Sequence, residues 1–256
     1  MNNKISDLRK KEMPWGNNKG KSAIERLDPA IASPSYSVYM HVQRYQYASK
    51  FAFGRVLDLG CGVGYGSKIL AMSGKVNEVI GIDISSSALN YAKKYYAHKK
   101  VKYLLSSAEK LAFDDKYFDM VAAFEIIEHV TDYQKTLKEV FRVLKNNGYL
   151  FISSPNPRDL LNCLRYRILS KPFPTKYQEN PHHTKEFYYE ELFDIMRNNG
   201  FKIEDSYGQT IRLPILNCLL KSRHKCLYKI QVDLGKLFPK YSLVYVFQCR
   251  KIGEYK

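Results

Sequence analysis

The run Glu125-Ile126-Ile127-Glu128-His129 brings two carboxylates and an imidazole into one short segment. Such a set can do two kinds of chemistry. An imidazole titrates near neutral pH and can take the proton of a hydroxyl as that hydroxyl reacts. With two carboxylates beside it, the imidazole can also hold Mg²⁺ or another divalent ion, which lowers the pKa of a bound hydroxyl. His129 and Glu128 are therefore the candidate catalytic residues, and Glu125, Glu128 and His129 are candidate metal ligands. A second constellation is Asp58-Leu59-Gly60-Cys61-Gly62-Val63-Gly64, followed by Asp83. Glycines let a chain turn sharply and let a ligand approach the backbone, and an acid at the end of the next strand can accept hydrogen bonds from ribose hydroxyls. A nicotinamide dehydrogenase has both features too, so they point to a fold and a ribose rather than a reaction.

Short apolar runs must alternate with amphipathic ones if these residues are to meet, and from Arg55 they do. RVLDLG reads as a first strand and GSKILAMSG as a helix ending at Gly74. EVIGIDIS is a second strand, and SSSALNYAKKYYAHKK a helix with serines at its start and lysines at its end, which suits the helix dipole. VKYLLSSA and FDMVAAFEII are the third and fourth strands. In DYQKTLKEVFRVLKNNG, Leu137, Val140, Phe141 and Leu144 fall on one helical face. GYLFISSP is a fifth strand, KEFYYEELFDIMRNNG a helix closed by Gly200, FKIEDSYG a sixth strand and YSLVYVFQCRK a seventh. Two segments interrupt the pattern. One, near 156–183, is rich in proline; the other, near 211–240, is basic, with Leu227, Ile230, Leu234 and Leu237 at helical spacing, and reads as an amphipathic lid.

VLDLGCGVGYGSKILA, VIGIDIS, SSAEKLAFDDKYFDMV and VLKNNGYLFISSPNP, taken in order, resemble a class I S-adenosylmethionine (SAM)-dependent methyltransferase over roughly residues 51–207. The resemblance implies an α/β, doubly wound, Rossmann-like seven-stranded sheet, mostly parallel with an antiparallel last strand, plus helical lid insertions. It implies a helical cover and polar tail over 1–50 and a methyltransferase domain over 51–256. It also implies that Asp58, Gly60, Cys61, Gly62 and Gly64 wrap the methionine and ribose of SAM and that Asp83 holds the ribose. Ser107, Ala108 and Glu109 would meet the adenine, and Phe124 and Glu125 would line the methyl-donor pocket. His41 and Arg44 would lie on a helix covering the cofactor, or pack against the surface. The ExxEH run is similar to metal-binding segments of ubiquinone-pathway O-methyltransferases and of small-RNA ribose 2′-O-methyltransferases. The RNA enzymes add a downstream histidine, for which His182 and His183 stand in place, so that His183 joins the candidate ligands.

The chain has 256 residues and a net charge of +16, with 45% hydrophobic and 14% aromatic residues, a composition that can bury a core. Counted over three segments, the charge is +5 over 1–50, +3 over 51–153 and +8 over 154–256, so the excess lies outside the central segment. A basic surface favours anionic partners. The acceptor is expected to be a small molecule, a glycan or a lipid-linked precursor. RNA and an anionic membrane surface met by Lys221, Arg223, Lys225 and Lys229 are further partners this charge suits. The first reading is O-methylation of such an acceptor, the second a metal-dependent RNA ribose 2′-O-methyltransferase and the third a SAM-binding protein without transfer activity; a dehydrogenase ranks below these. Five scattered cysteines without a CxxC pair, a polar start without a signal-peptide run and no apolar run of about 18 residues point to a cytoplasmic protein without a spanning helix.

Overall fold

The computed structural model describes residues 27–32, 36–168, 183–213 and 224–255. Strands β1 (Gly54–Leu59), β2 (Val76–Asp83) and β4 (Phe118–Phe124) are buried almost from end to end, as strands covered on both faces must be. With β3 (Val101–Leu105), β5 (Leu144–Pro155), β6 (Phe201–Gly208) and β7 (Val244–Lys251) they form one sheet in the order β3-β2-β1-β4-β5-β7-β6. β1 runs parallel to β2 and β4, and β2 parallel to β3. β7 runs antiparallel to both β5 and β6. This is the doubly wound sheet, mostly parallel with an antiparallel last strand, that the resemblance implied.

The chain divides into two compact units, residues 1–122 with 134–148, and residues 123–133 with 149–256. In the first, helices α1 (Tyr36–Ser49), α2 (Tyr65–Ala71), α3 (Ser86–Tyr95) and nearly all of α4 (Tyr133–Val143) accompany β1 to β4. Leu137, Val140, Phe141 and Leu144 are buried, as their spacing required. The side chain of Ser85 caps α3 by accepting from the Ala88 amide. That helix stops at Tyr95, short of the lysines expected to end it, because the Val101 amide turns back onto the His98 carbonyl and Lys100 Nζ donates to the Val76 carbonyl. The segment preceding α1 is tied down at Asp28, which is fully buried and accepts from the hydroxyls of Tyr91 and Tyr96 and from the Ala30 amide. The loop after β3 is pinned by α4: Arg142 donates to the carbonyls of Leu111 and Phe113, while Glu139 accepts from the Leu111 amide at 2.7 Å.

The second unit holds β6, β7, most of β5, and helices α5 (Leu160–Ile168), α6 (Tyr189–Asn198) and α7 (His224–Leu237). α6 begins at Tyr189 rather than at Lys185, because Thr184 is bonded to the Glu128 and Val130 carbonyls and the Phe187 carbonyl to Tyr245 instead of to a helical ladder. The helical spacing over 224–237 is real, yet the buried face differs from the one expected. Gln231, Val232 and Gly235 are buried, whereas Ile230 is 43% and Leu237 71% exposed. The reason is backbone proximity. A Cβ on Gly235 would lie 2.6 Å from the Thr210 nitrogen, and the Ile211 amide donates to the Gln231 carbonyl, so the glycine face must turn inward. Lys229 is exposed, while Lys221 and Arg223 and the side chains of Lys225 and Leu227 lie outside the described residues, as do 169–182. Among the described residues no helix is long and apolar enough to cross a membrane.

Candidate functional site

In the first unit the chain leaves β1 through a turn in which Gly60, Gly62 and Gly64 have φ of 73°, 52° and 88°, all in the left-handed region that other L-residues rarely occupy. The Gly60 and Cys61 amides both donate to the Ile82 carbonyl, which ties the turn to the end of β2. Gly64 is required twice over, since a Cβ there would also lie 2.5 Å from the Tyr103 hydroxyl. At Gly62 a Cβ would meet nothing within 4 Å, so this bend of backbone faces open space. A ligand can therefore approach it closely.

Asp83 stands beside that opening, with its side chain oriented by backbone. Oδ2 accepts from the Gly62 amide at 3.0 Å and Oδ1 from the Ser85 amide at 2.9 Å. A carboxylate oxygen can accept more than one hydrogen bond, so a group held in this way suits a vicinal diol. Ala108 is buried and Glu109 partly exposed just beyond β3, in the loop that Arg142 and Glu139 hold. Sequence reasoning passed over Ile84, which is 71% exposed directly after Asp83. An apolar side chain left in the open beside Asp83 suits the face of a nucleobase, and its signal was the apolar residue following the strand-end acid.

Asp58 is placed differently from a residue that wraps a ligand. It is fully buried, accepting from Tyr45 Oη at 2.9 Å and from Ser67 Oγ at 2.6 Å. Tyr45 lies on α1 and Ser67 on α2, and a Cβ on Gly66 would sit 2.1 Å from the Tyr45 ring. Asp58 therefore joins α1, α2 and β1 beneath the glycine turn. Arg44 is buried too, while His41 is half-buried, its Nδ1 3.3 Å from the Tyr65 hydroxyl. Burial pushes the Asp58 carboxyl up from 3.8 to about 6, outweighing the two hydrogen bonds that favour the anion. The folded protein thus holds this proton more tightly than the unfolded chain, and the stability linked to it is full below about pH 4 and is lost as pH rises through about 6. The amount is about 3 kcal/mol at ~1.4 kcal/mol per pKa unit. Asp58→Asn, measured by urea unfolding at pH 4 and pH 7, should gain relative to wild type by about that amount between the two. Identical pH slopes for the two proteins would contradict the assignment.

The second unit contains the other constellation. β4 ends at buried Phe124, and Glu125 follows with φ 51°, a conformation non-glycine residues seldom adopt. The Glu125 amide is held there by Ser153, whose carbonyl and hydroxyl oxygens lie at 3.3 and 3.1 Å. Glu125-Ile126-Ile127 thus leaves the strand, contrary to the expected extension of β4 through it, and turns so that Glu128 is fully buried. Glu128, His129 and His183 offer ligand atoms that all lie within 4.8 Å of one another. The rings of His129 and His183 meet edge to face with centroids 4.9 Å apart. Glu125 is not part of this group, because the left-handed turn separates it from its sequence neighbours, so the metal set expected from sequence shrinks to three. His182 lies outside the described residues.

The segment that brings His183 in is stitched in place. The Thr184 amide and hydroxyl donate to the Glu128 carbonyl at 2.8 and 3.0 Å, and the same hydroxyl reaches the Val130 carbonyl at 2.6 Å. Tyr245 Oη donates to the Phe187 carbonyl at 2.9 Å, and Phe187 packs edge to face on Tyr133. Two imidazoles and one carboxylate form a donor set that fits a borderline ion such as Mn²⁺, Fe²⁺, Co²⁺ or Zn²⁺ better than Mg²⁺, which prefers oxygen. The same side chains can orient a hydroxyl and take its proton without an ion.

Residues 57–152 match the family model described as a methyltransferase domain. A probable S-adenosylmethionine-dependent methyltransferase of Mycolicibacterium smegmatis is 31% identical over 185 residues, covering 72% of this chain and 66% of that protein. A counterpart in Mycobacterium tuberculosis is 30% identical over 69% of this chain and 60% of its own length, so the match spans somewhat under two thirds of these relatives. A ubiquinone biosynthesis O-methyltransferase of Pelagibacter ubique is 32% identical over 62% of this chain and 66% of its own length. Among solved structures, the [4+2]-cyclase SpnF superposes with a TM-score of 0.63 at 19% identity, covering 99% of this chain and 97% of SpnF. A putative methyltransferase of Bacillus halodurans superposes with a TM-score of 0.57 at 20% identity, over 82% of this chain and 98% of its own. At such identities the likeness is one of fold.

Proposed function

Since the chain belongs to the class I SAM-dependent methyltransferases, we propose that it moves a methyl group from SAM to a hydroxyl of a small-molecule acceptor. The observation that carries the cofactor half is the opening at Gly62 beside Asp83, two residues held in one hydrogen-bonded arrangement. Asp83 takes the ribose hydroxyls, Ile84 and the Ala108–Glu109 loop take the adenine, and the glycine turn admits the remainder of SAM. Asp58 acts through position, fixing the turn from beneath. The acceptor half rests on His129, Glu128 and His183. SAM carries its own leaving group, so the protein's work is to align the nucleophile, exclude water and deal with the proton of the hydroxyl. A hydroxyl is a weak nucleophile until its proton is taken, so a base at this place suits oxygen as the atom methylated. That choice agrees with the name of the Pelagibacter relative.

His129 accepts the hydroxyl proton, and buried Glu128 beside it stabilises the imidazolium that results. A divalent ion, when bound by Glu128, His129 and His183, would make the hydroxyl more acidic. The cyclase among the similar folds is a reminder that this fold houses other chemistry. Transfer of labelled methyl from SAM should therefore be measured against phenolic, glycan, lipid-linked and RNA acceptors, each with and without added Mn²⁺ and at low and high salt. Label is expected in a hydroxyl-bearing small molecule, with little dependence on salt. Steeply salt-sensitive transfer to RNA alone would replace the small-molecule reading. SAM binding without transfer to any acceptor class would favour a SAM-binding protein instead.

A further inference from the structure

His183 does not stand alone. Its Nδ1 lies 2.6 Å from Oε1 of Glu186, and the two side chains are 7% and 4% exposed. Glu186 sits three residues on, in the stretch ahead of α6, and that stretch is fixed on both sides of it. Thr184 is bonded to the Glu128 and Val130 carbonyls on one side, and the Phe187 carbonyl to Tyr245 on the other. A buried carboxylate held against one ring nitrogen accepts from Nδ1–H and so leaves the lone pair of the neutral imidazole on Nε2. It also fixes the plane of the ring and makes the opposite nitrogen a better donor. The edge-to-face contact with His129 further restrains that plane.

We propose that Glu186 is a positioning residue of this site: by holding Nδ1 of His183 it presents Nε2 to a divalent transition-metal ion shared with Glu128 and His129. The inference rests on the metal reading given above. It goes beyond that reading in naming a residue outside the ExxEH run and outside the ligand set. Glu186 does not bind the ion; it sets the tautomer and direction of a residue that does.

The experiment uses the full chain and Co²⁺ alone, with neither SAM nor acceptor present, and reads the visible ligand-field absorption together with calorimetric affinity. Wild type is expected to bind one Co²⁺, and His183→Ala to lose most of that affinity. Glu186→Ala should bind about tenfold to a hundredfold more weakly, the range seen when an outer carboxylate is removed from a metal-bound histidine. Glu186→Gln keeps an oxygen that can accept from Nδ1–H but lacks the charge, so it should fall between the two and restore the absorption band that Glu186→Ala shifts. Cooperative thermal unfolding of each apo variant, followed by circular dichroism, shows that the comparison is between folded proteins. If Glu186→Ala fails to fold, Glu186→Gln alone decides, by a weaker affinity than wild type. Equal Co²⁺ affinity in wild type and in the Glu186 variants, with loss in His183→Ala, overturns the role of Glu186 and leaves the metal site standing. No Co²⁺ binding by wild type, or equal binding by His183→Ala, overturns the metal reading and this inference with it.

Discussion

Asp83→Ala is expected to weaken SAM binding at least a hundredfold. The carboxylate would hold a ribose diol through two charge-assisted hydrogen bonds, each worth about 1.5–3 kcal/mol. Their joint loss amounts to about 3–6 kcal/mol, or a factor of roughly 10² to 10⁴ in Kd. A second loss comes from the protein itself. Asp83 also accepts from the Gly62 and Ser85 amides, so its removal leaves the glycine turn and the start of α3 without the group that joins them. Asp83→Asn separates the two effects, because its amide oxygen can still serve one backbone donor while the charge is gone; it should bind SAM more tightly than Asp83→Ala and more weakly than wild type. Isothermal calorimetry with SAM and with adenosine is the measurement. A parallel loss for both ligands locates the defect at the nucleoside, and an unchanged SAM affinity in Asp83→Ala would remove the ribose assignment altogether.

The glycine turn and the acid beside it were legible in the sequence because they depend on local rules. A glycine turn between strand and helix and an acid at the next strand end are fixed by backbone sterics and by the crossover geometry of parallel strands, and both keep their spacing along the chain. Burial was harder to read. Asp58 has the same residue type and strand-end setting as Asp83, yet it points into the unit and is satisfied by Tyr45 and Ser67, partners from two other elements. Periodicity likewise located α7 but chose the wrong face, since leucine spacing carries no information about the backbone approach at Gly235 and Thr210. In the ExxEH run the contiguous letters suggested that all three side chains act together. A left-handed residue at Glu125 undoes this for the first of them, and no composition rule announces a positive φ at a glutamate. Glu186 was invisible for the opposite reason: it matters only once the chain returns to bring His183 to Glu128, a contact across more than fifty residues.

His129→Ala is expected to lower kcat by about 10² to 10⁴, the range for loss of a positioned proton acceptor, while SAM affinity stays within about twofold of wild type. The split follows from placement, because the groups assigned to SAM's ribose belong to the first unit, whereas His129 belongs to the second and shares its surroundings with Glu128 and His183. Chelation then separates the two ways His129 can act. If it holds an ion, exhaustive EDTA treatment should reproduce most of the loss in the wild type, Mn²⁺ should restore activity, and neither should change His129→Ala. If it works as a base alone, EDTA is without effect and the low-pH limb of kcat/KM disappears in the variant, because that limb reports protonation of the imidazole. The buried carboxylate of Glu128 makes the same distinction from its own side: Glu128→Gln removes a charged ligand, and should cost metal affinity in the first case but only shift the limb to lower pH in the second, where the imidazolium loses its neighbouring anion. Full activity in both His129→Ala and EDTA-treated wild type would place the acceptor chemistry elsewhere in the chain.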